Sequence, residues 1–485
     1  MKALSTRSRT VIVAATLLLF AVLFALESIG NHCCFRTYGL DLGLYTKTLY
    51  DHAHLRPNDC SFFLDTPSNQ MGDHFDIYLW LFSPLVYLFG NYTLLIIQIA
   101  SVIVGMYGTY RLVRLYTDDN VLPFAAMLTI GFSFGVWHAL SFDYHSNVVS
   151  AMMLPWLFYF FKKGSVGGMV TMALFMSIAK ETSALWVCFV LAALLWDCRR
   201  EKRMLRAVAL TLAGCVAYFL IVTLVVMPAL GGGGSTGFWR YSWMGDNVGQ
   251  VAIWMFTHPW QANKAVFTDF VGTAPGLKPE FFLSILLSGG LLCLFKPNWL
   301  LMFVPPLLMK MLARDPGAFW GIALHYNIEA CVVAALVMVP VLSRFKAPAL
   351  RRVAASLVVV ASLLTLHHTV TKPRTFVQLD NICIFSADHY RQPTFDASAA
   401  RRMIGELPSD ASVCASTMLS PHLAVRDSVY SFPTGVGKAN YFLLLQNHFC
   451  YTDNDEQMAH EIINDTVHYR VVDSGDNIYL LVTIR

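Results

Sequence analysis

The chain has 485 residues, 56% of them hydrophobic and 14% charged, with a net charge of +4. A soluble domain carries about 25% charged residues, so most of this chain is built to sit in a bilayer. The small net charge argues against a nucleic-acid binder, and the 11 cysteines contain no Cys-x-x-Cys pair, which argues against a zinc ribbon.

Lys2, Arg7 and Arg9 precede the apolar run 10–30, long enough to cross a bilayer, for which about 20 residues suffice. Basic flanks stay in the cytoplasm, so the amino terminus is expected inside and Asn31 outside. The run is long for a signal peptide and lacks a small-x-small cleavage site, which makes it a retained first span. The first external loop follows, with Leu40-Asp41-Leu42-Gly43 near its start and Met71-Gly72-Asp73-His74-Phe75 near its end. Between them, residues 42–55 set Leu42, Tyr45, Leu49 and Tyr50 at a spacing that suits a helix lying in the membrane interface. Residues 75–90 are apolar, but a span there would put Arg111 and Arg114 outside, against the positive-inside rule. They are expected to form a second interfacial or half-inserted helix, with 92–115 as the second span.

Further spans are expected over 121–140, 148–161, 166–179, 183–196, 207–227, 281–295, 299–312, 330–342 and 353–366. This gives about eleven in all. Lys162-Lys163, Arg199 to Arg206, Lys296, Arg344, Lys346 and Arg351-Arg352 then fall on one side. Phe142-Asp143-Tyr144-His145, Lys180-Glu181 and His325-Tyr326 fall on the other. A second external loop over 231–278 opens on four glycines and Ser235, the composition of a flexible hinge. It carries Trp239, Arg240, Tyr241, Trp243, Trp254 and Trp260, and tryptophans suit the headgroup layer.

From about Thr371 the chain turns soluble. Residues 399–407 read as a helix; 412–416, 428–432, 441–445, 469–473 and 478–484 read as strands, the last two joined by the hairpin turn Ser474-Gly475-Asp476-Asn477. The expected architecture is an α-helical polytopic membrane domain over 1–370, with interfacial helices in its first external loop, and a small α/β extracytoplasmic domain over 371–485. Six cysteines fall outside: Cys33, Cys34, Cys60, Cys383, Cys414 and Cys450. A disulfide from Cys33 or Cys34 to Cys60 would staple the first loop in an oxidising compartment, and free thiols are the alternative.

A charge inside hydrocarbon costs a few kcal/mol, so polar residues at span ends need a reason. Taken singly, each has a plain one. Asp41 can cap the interfacial helix, Asp73 and His74 can begin the next helix, Asp143-x-His145 can be a solvated turn, and Lys180-Glu181 can be an ion pair. Together, carboxylates and histidines converging on one site can deprotonate a hydroxyl or hold a divalent cation. Lys180 and the external arginines can hold a phosphate. That combination is what a transferase with a lipid-linked phosphate donor needs.

These motifs resemble those of a family of predicted multi-spanning membrane proteins of bacteria and archaea, a domain of unknown function. The resemblance runs through Leu40-Asp41-Leu42-Gly43, Gly72-Asp73-His74-Phe75, Phe142-Asp143-Tyr144-His145, Lys180-Glu181, His325-Tyr326 and Pro421-His422-Leu423-Ala424-Val425-Arg426. Family members usually carry an acid after Lys-Glu and a proline after Asp-x-His, where this chain has Thr182 and Ser146. The family in turn distantly resembles the GT-C glycosyltransferases, which include oligosaccharyl-, mannosyl- and aminoarabinosyl-transferases. That resemblance implies a catalytic acid/base at Asp41, with Asp73 and His74 beside it. Asp143, His145, Lys180, Glu181, His325 and Tyr326 would line the substrate site.

The function so expected is a membrane glycosyltransferase of the cell envelope. It would move a sugar from a polyprenyl-phosphate donor to an extracytoplasmic acceptor in the bacterial inner membrane. A transporter or lipid flippase is the alternative, although transporters keep ionisable groups near the midplane and these spans hold few. A non-catalytic envelope scaffold is a third reading. The cofactor stays open: Asp73, His74, Asp143 and His145 would suit magnesium or manganese if they met.

Overall fold

The structure, a computed structural model, describes residues 5–65, 68–231, 238–371, 384–447 and 453–484. Six of its helices are long and apolar enough to cross a membrane: Thr6–Cys33, Tyr78–Val113, Leu122–Ser141, Lys202–Ala229, His325–Leu342 and Pro348–Thr371. Shorter apolar helices lie between them, among them Val166–Ser177 and Val248–Thr257. Exposure follows position in the bundle. The helix over residues 328–342 is enclosed by its neighbours along almost every residue, whereas Lys202–Ile221 turns Leu210 and Leu220 outward.

Successive helices run between two ends of the bundle, and polar contacts mark each end. At one end Asp119 pairs with Arg351 (2.9 Å) and Arg352 (3.1 Å), and Asp197 pairs with Lys296 (2.6 Å). The other end carries the sheet and the residues of the first loop. The helix Thr93–Val113 alone separates them by about 30 Å, at about 1.5 Å per residue.

The apolar stretch after the first loop, expected as one interfacial or half-inserted helix, is broken. It forms short helices Tyr78–Phe82, Ser83–Leu85 and Val86–Phe89, ending at Gly90. Gly90 has φ +55°, open to glycine and costly for other residues, and there the chain turns into Thr93–Val113. The loop over 231–278 holds two helices that were not expected, Val248–Thr257 and Pro259–Phe267. Its glycine hinge, apart from Gly231, lies outside the described residues.

The sheet has five strands: β1 Val413–Ala415, β2 Val429–Ser431, β3 Tyr441–Leu445, β4 Tyr469–Gly475 and β5 Ile478–Thr483. Their order is β2-β1-β3-β5-β4. β1 runs parallel to β2 and β3; β5 runs antiparallel to β3 and β4. Side chains alternate across a sheet, and both faces are apolar. Val413, Ala415, Leu443 and Leu445 pack with Ala399, Ala400 and Met403 of the helix Ala397–Glu406. Cys414, Phe442 and Leu444 pack with Ala459, Ile462 and Ile463 of a second helix, Asp453–Asn464. Phe35, Tyr38 and Phe62 of the first loop join the first of these cores.

Of the two alternatives for the first loop's cysteines, the structure has the free thiols: Cys33 is exposed, and Cys34 and Cys60 are buried. Cys383 and Cys450 lie outside the described residues.

Candidate functional site

Asp41 sits in a π-helical turn, Gly39–Gly43, that leads into the helix Leu44–Ala53. Such turns are rare and concentrate at functional sites. This one is held from two sides. From the bundle, the Asp143 carboxylate accepts the N–H of Tyr38 (3.2 Å) and of Leu42 (3.3 Å). Asp143 itself has φ +48°, a conformation that costs a non-glycine residue of order 1 kcal/mol or more. From the sheet, Thr417 Oγ1 accepts the Gly39 N–H at 3.0 Å. A Cβ on Gly39 would stand 2.6 Å from Ser431 Oγ and 2.7 Å from Ser420 Oγ, so only glycine allows this approach. Asp41 does not cap the helix: Gly43 is the capping residue and no side-chain cap is made.

The loop's second motif docks on Lys180-Glu181. His74 Nδ1 lies 3.2 Å from Glu181 Oε1, and the Phe75 N–H donates to Glu181 Oε2 at 3.2 Å. One turn on, buried Asp76 accepts the Tyr78 N–H at 2.9 Å and a hydrogen bond from Ser146. Lys180 lies within electrostatic reach of Asp41, Asp76 and Glu181. Among the described residues, Lys180 makes no ion pair and the Asp41 carboxylate accepts no hydrogen bond.

A third wall is aromatic. The His145 and His325 rings stack with centroids 3.3 Å apart, and His145 Nε2 and His325 Nδ1 have no partner. Gln98 fixes this turn by accepting the His145 N–H at 2.8 Å and donating to the Asp143 carbonyl at 3.0 Å. Tyr326 stacks on Phe319 at 4.1 Å, and Arg240, paired with Asp315 at 3.1 Å, reaches Tyr326 electrostatically. Asn147 donates to Glu329 at 2.9 Å.

Burial raises the Asp41 carboxyl to about 6; Lys180 and His74 pull it down and Asp73 pushes it up. Burial likewise raises Asp76 to about 7, against the pull of Lys180 and the Ser146 and Tyr78 hydrogen bonds. Asp143 is pushed well above the ordinary carboxyl range, by burial first and then by the Asp41 charge. Burial drives His145 well below the ordinary imidazole range, with Lys180 and His74 adding to it. The outcome is a carboxyl poised to exchange a proton near neutrality, beside a cation and a neutral imidazole.

The structure therefore gathers Asp41, Asp73, His74, Asp143, His145, Lys180, Glu181, His325 and Tyr326 around one end of the bundle. It adds Asp76, Glu329, Gln98 and Arg240. Asp76 was legible as an acid within an apolar stretch, and Glu329 as an acid at the head of a span. Gln98 and Thr417 carry no such signal. The metal candidates do not form a site. Asp143 is committed to backbone N–H groups and His74 to Glu181. Among the described residues, no group of three or more His, Cys, Asp or Glu could hold a metal. Two surface recesses, of about 550 and 650 Å³, lie elsewhere, beside Asn477 and beside Trp196.

A helical membrane bundle whose polar end is capped by an α/β sheet, with an acid on a loop between them, defines a class of polytopic membrane proteins. The chain matches the family described as predicted membrane protein DUF2079 over residues 31–478 and belongs to it. No curated protein matches it in sequence. Among solved structures it is similar to ArnT from Cupriavidus metallidurans. The form bound to undecaprenyl phosphate is 13% identical over 99% of both chains, with a TM-score of 0.52. The apo form is 9% identical over 98% of both, with a TM-score of 0.53. The Archaeoglobus fulgidus oligosaccharyltransferase in its apo form is 11% identical over 93% of this chain and 72% of its own, with a TM-score of 0.47. The likeness to ArnT is one of fold.

Proposed function

We propose that this chain is a GT-C-type membrane glycosyltransferase, moving a sugar from a polyprenyl-phosphate-linked donor to an acceptor on the extracytoplasmic face. One juxtaposition carries the reading: Asp41 without a hydrogen bond and Lys180 without an ion pair, in reach of each other, on the fold of a protein solved with undecaprenyl phosphate. In this reading the chain makes about eleven passes through a bacterial inner membrane. Its amino terminus is cytoplasmic, residues 1–370 form the membrane domain, and residues 371–485 form the extracytoplasmic domain.

The Asp41 carboxylate takes the proton of the acceptor hydroxyl. The acceptor oxygen bonds to the anomeric carbon as that carbon's bond to the phosphate oxygen breaks, and the electron pair leaves on the polyprenyl phosphate. Lys180 and Arg240 stabilise that charge. Asp143 positions the Asp41 turn, Glu181 orients His74, and His145, His325 and Tyr326 face the sugar. Among the described residues the candidate ligands do not converge on a metal site.

The test is native mass spectrometry of the protein purified in mild detergent and supplied with polyprenyl phosphate. Retention of the carrier by the wild type and its loss from Lys180→Ala are expected. Retention of bulk phospholipid alone would overturn the lipid-donor mechanism.

A further inference from the structure

The strand order β2-β1-β3 reverses direction at β1, and open α/β sheets hold their ligands at the carboxyl ends of strands beside such a reversal. In this protein the first loop occupies the β1 and β2 side of that edge. Thr417, just beyond β1, takes the Gly39 N–H at 3.0 Å, and Ser431, the last residue of β2, donates its N–H to the Phe62 carbonyl at 2.7 Å. Among the described residues the first loop makes no hydrogen bond to the third carboxyl end, that of β3. There Gln446 and Asn447 meet the turn between β4 and β5, and a recess of about 550 Å³ forms with Thr394, Asp476, Asn477 and Tyr479. That volume falls within the usual range for a small-molecule site, about 300–1,000 Å³.

Its frame is fixed internally. Asn477, at φ +58°, donates to the Thr394 carbonyl (2.7 Å) and the Asn447 carbonyl (2.9 Å) and accepts the Asn447 N–H (2.8 Å). The Tyr479 hydroxyl donates to Gln446 Oε1 at 3.1 Å, which holds the ring in place. What stays free among the described residues is the Gln446 amide nitrogen, the Asn447 amide and the Asp476 carboxylate. An amide both donates and accepts, a carboxylate accepts on two oxygens, and a tyrosine ring offers a flat apolar face. Hydroxyls alternating with C–H faces match that set. Among the described residues no lysine, arginine or histidine lines the recess, and the charge they bring is the Asp476 carboxylate, which does not favour an anionic ligand.

We propose that this recess is a binding subsite for a neutral saccharide, on the same sheet edge that holds the Asp41 loop. Its use as an acceptor subsite rests on the transferase reading above; the binding itself does not.

The experiment uses the full-length protein in lipid nanodiscs free of glycoside detergent, applied to an array of neutral and anionic glycans. Wild type and the double variant Asn447→Ala/Asp476→Ala are compared. Among the described residues those two side chains make no hydrogen bond, and equal melting temperatures confirm that the variant is folded. Neutral glycans are expected to bind the wild type and to bind the double variant at least tenfold more weakly. Asp41→Asn is expected to bind them as wild type does, which separates this subsite from the transfer chemistry. Retention of no neutral glycan, retention of anionic glycans alone, equal binding by the double variant, or loss of binding in Asp41→Asn would each overturn the assignment.

Discussion

The two ends of the helical bundle treat the same side chain in opposite ways. At the far end the Asp119 carboxylate is fully buried and has four partners: the N–H groups of Val121 (2.7 Å) and Leu122 (3.1 Å), Arg351 and Arg352. Burial alone would raise it, but Arg351, the two N–H groups and Arg352 together bring it down to about 2. At the sheet end Glu181 is likewise paired, with His74, but at Asp41 and Asp76 burial wins. Asp41 rises to about 6 and Asp76 to about 7, with Lys180 near both and paired to neither. One end uses acids to stitch helices together as permanent anions. The other holds two acids, Asp41 and Asp76, at the edge of ionisation, which stability alone does not favour.

The largest expected effect tests that asymmetry directly. Asp41→Asn keeps the shape and removes the base, so transfer from a polyprenyl-phosphate sugar to acceptor should fall by about 10²–10⁴-fold. Folding should not suffer. A carboxyl raised from 3.8 to about 6 by the fold is less stable as an anion there than in the unfolded chain, and that penalty is fully present above pH 6. The asparagine variant should therefore melt at or above the wild-type temperature at pH 7.5. A variant that is inactive because it is unfolded would break the contrast.

Asp119→Asn is the mirror experiment. It leaves two arginines facing a neutral side chain and should cost about 2 kcal/mol, less than a fully enclosed pair because Arg352 is partly exposed. Carrier binding by the folded fraction should be unchanged. The sign of its pH dependence is opposite to that of Asp41. Its folded pKa is depressed, so its contribution is present above about 3.8 and is lost as pH falls toward 2. Thermal melts of wild type and variant should thus converge at low pH.

The pH profile of transfer gives a third, smaller reading. A base with pKa about 6 must be deprotonated to work, so the rate should climb through pH 6 by about tenfold per unit on its acid limb and level off above pH 7. A profile flat from pH 5 to 8 would remove Asp41 from the proton transfer.

Much of this arrangement was legible in the sequence, for physical reasons. Strands β1 to β5 stand close to their expected positions, because short apolar and aromatic runs bounded by turn residues mark strands, and β1 and β3, covered on both faces, read as nearly continuous apolar runs. The grouping of Asp41, Asp143, Lys180 and His325 at one end followed from charge sidedness alone. What lay hidden were contacts between distant segments. No local pattern says that Asp143 would spend its oxygens on the Tyr38 and Leu42 N–H groups rather than on a substrate or metal. Nor does any say that Cys34 and Cys60 would be buried in separate surroundings instead of bridged. The helix Asp453–Asn464 was missed although Met458, Ala459, Ile462 and Ile463 carry its period; its polar flanks hid it.

The smallest effect concerns the seam between the sheet and the bundle. Thr417 Oγ1 is the acceptor for the Gly39 N–H, two residues before Asp41. Thr417→Val keeps the volume and removes that acceptor, leaving a buried N–H unpaired at a cost of about 1–3 kcal/mol. Relaxation of the π-helical turn is the cheapest way to recover it, and that relaxation moves Asp41. Asp143 still clamps Tyr38 and Leu42, so the turn should loosen rather than unfold. The expected outcome is a fall of about five- to tenfold in transfer rate, equivalent to about 1 kcal/mol, with carrier affinity unchanged, because Lys180 is anchored through the bundle. Hydrogen exchange at residues 38–43 should rise in the same variant. A lost rate without faster exchange there would mean that Thr417 acts on the acceptor and not through the turn, and the sheet would then belong to the substrate site rather than to the support of its acid.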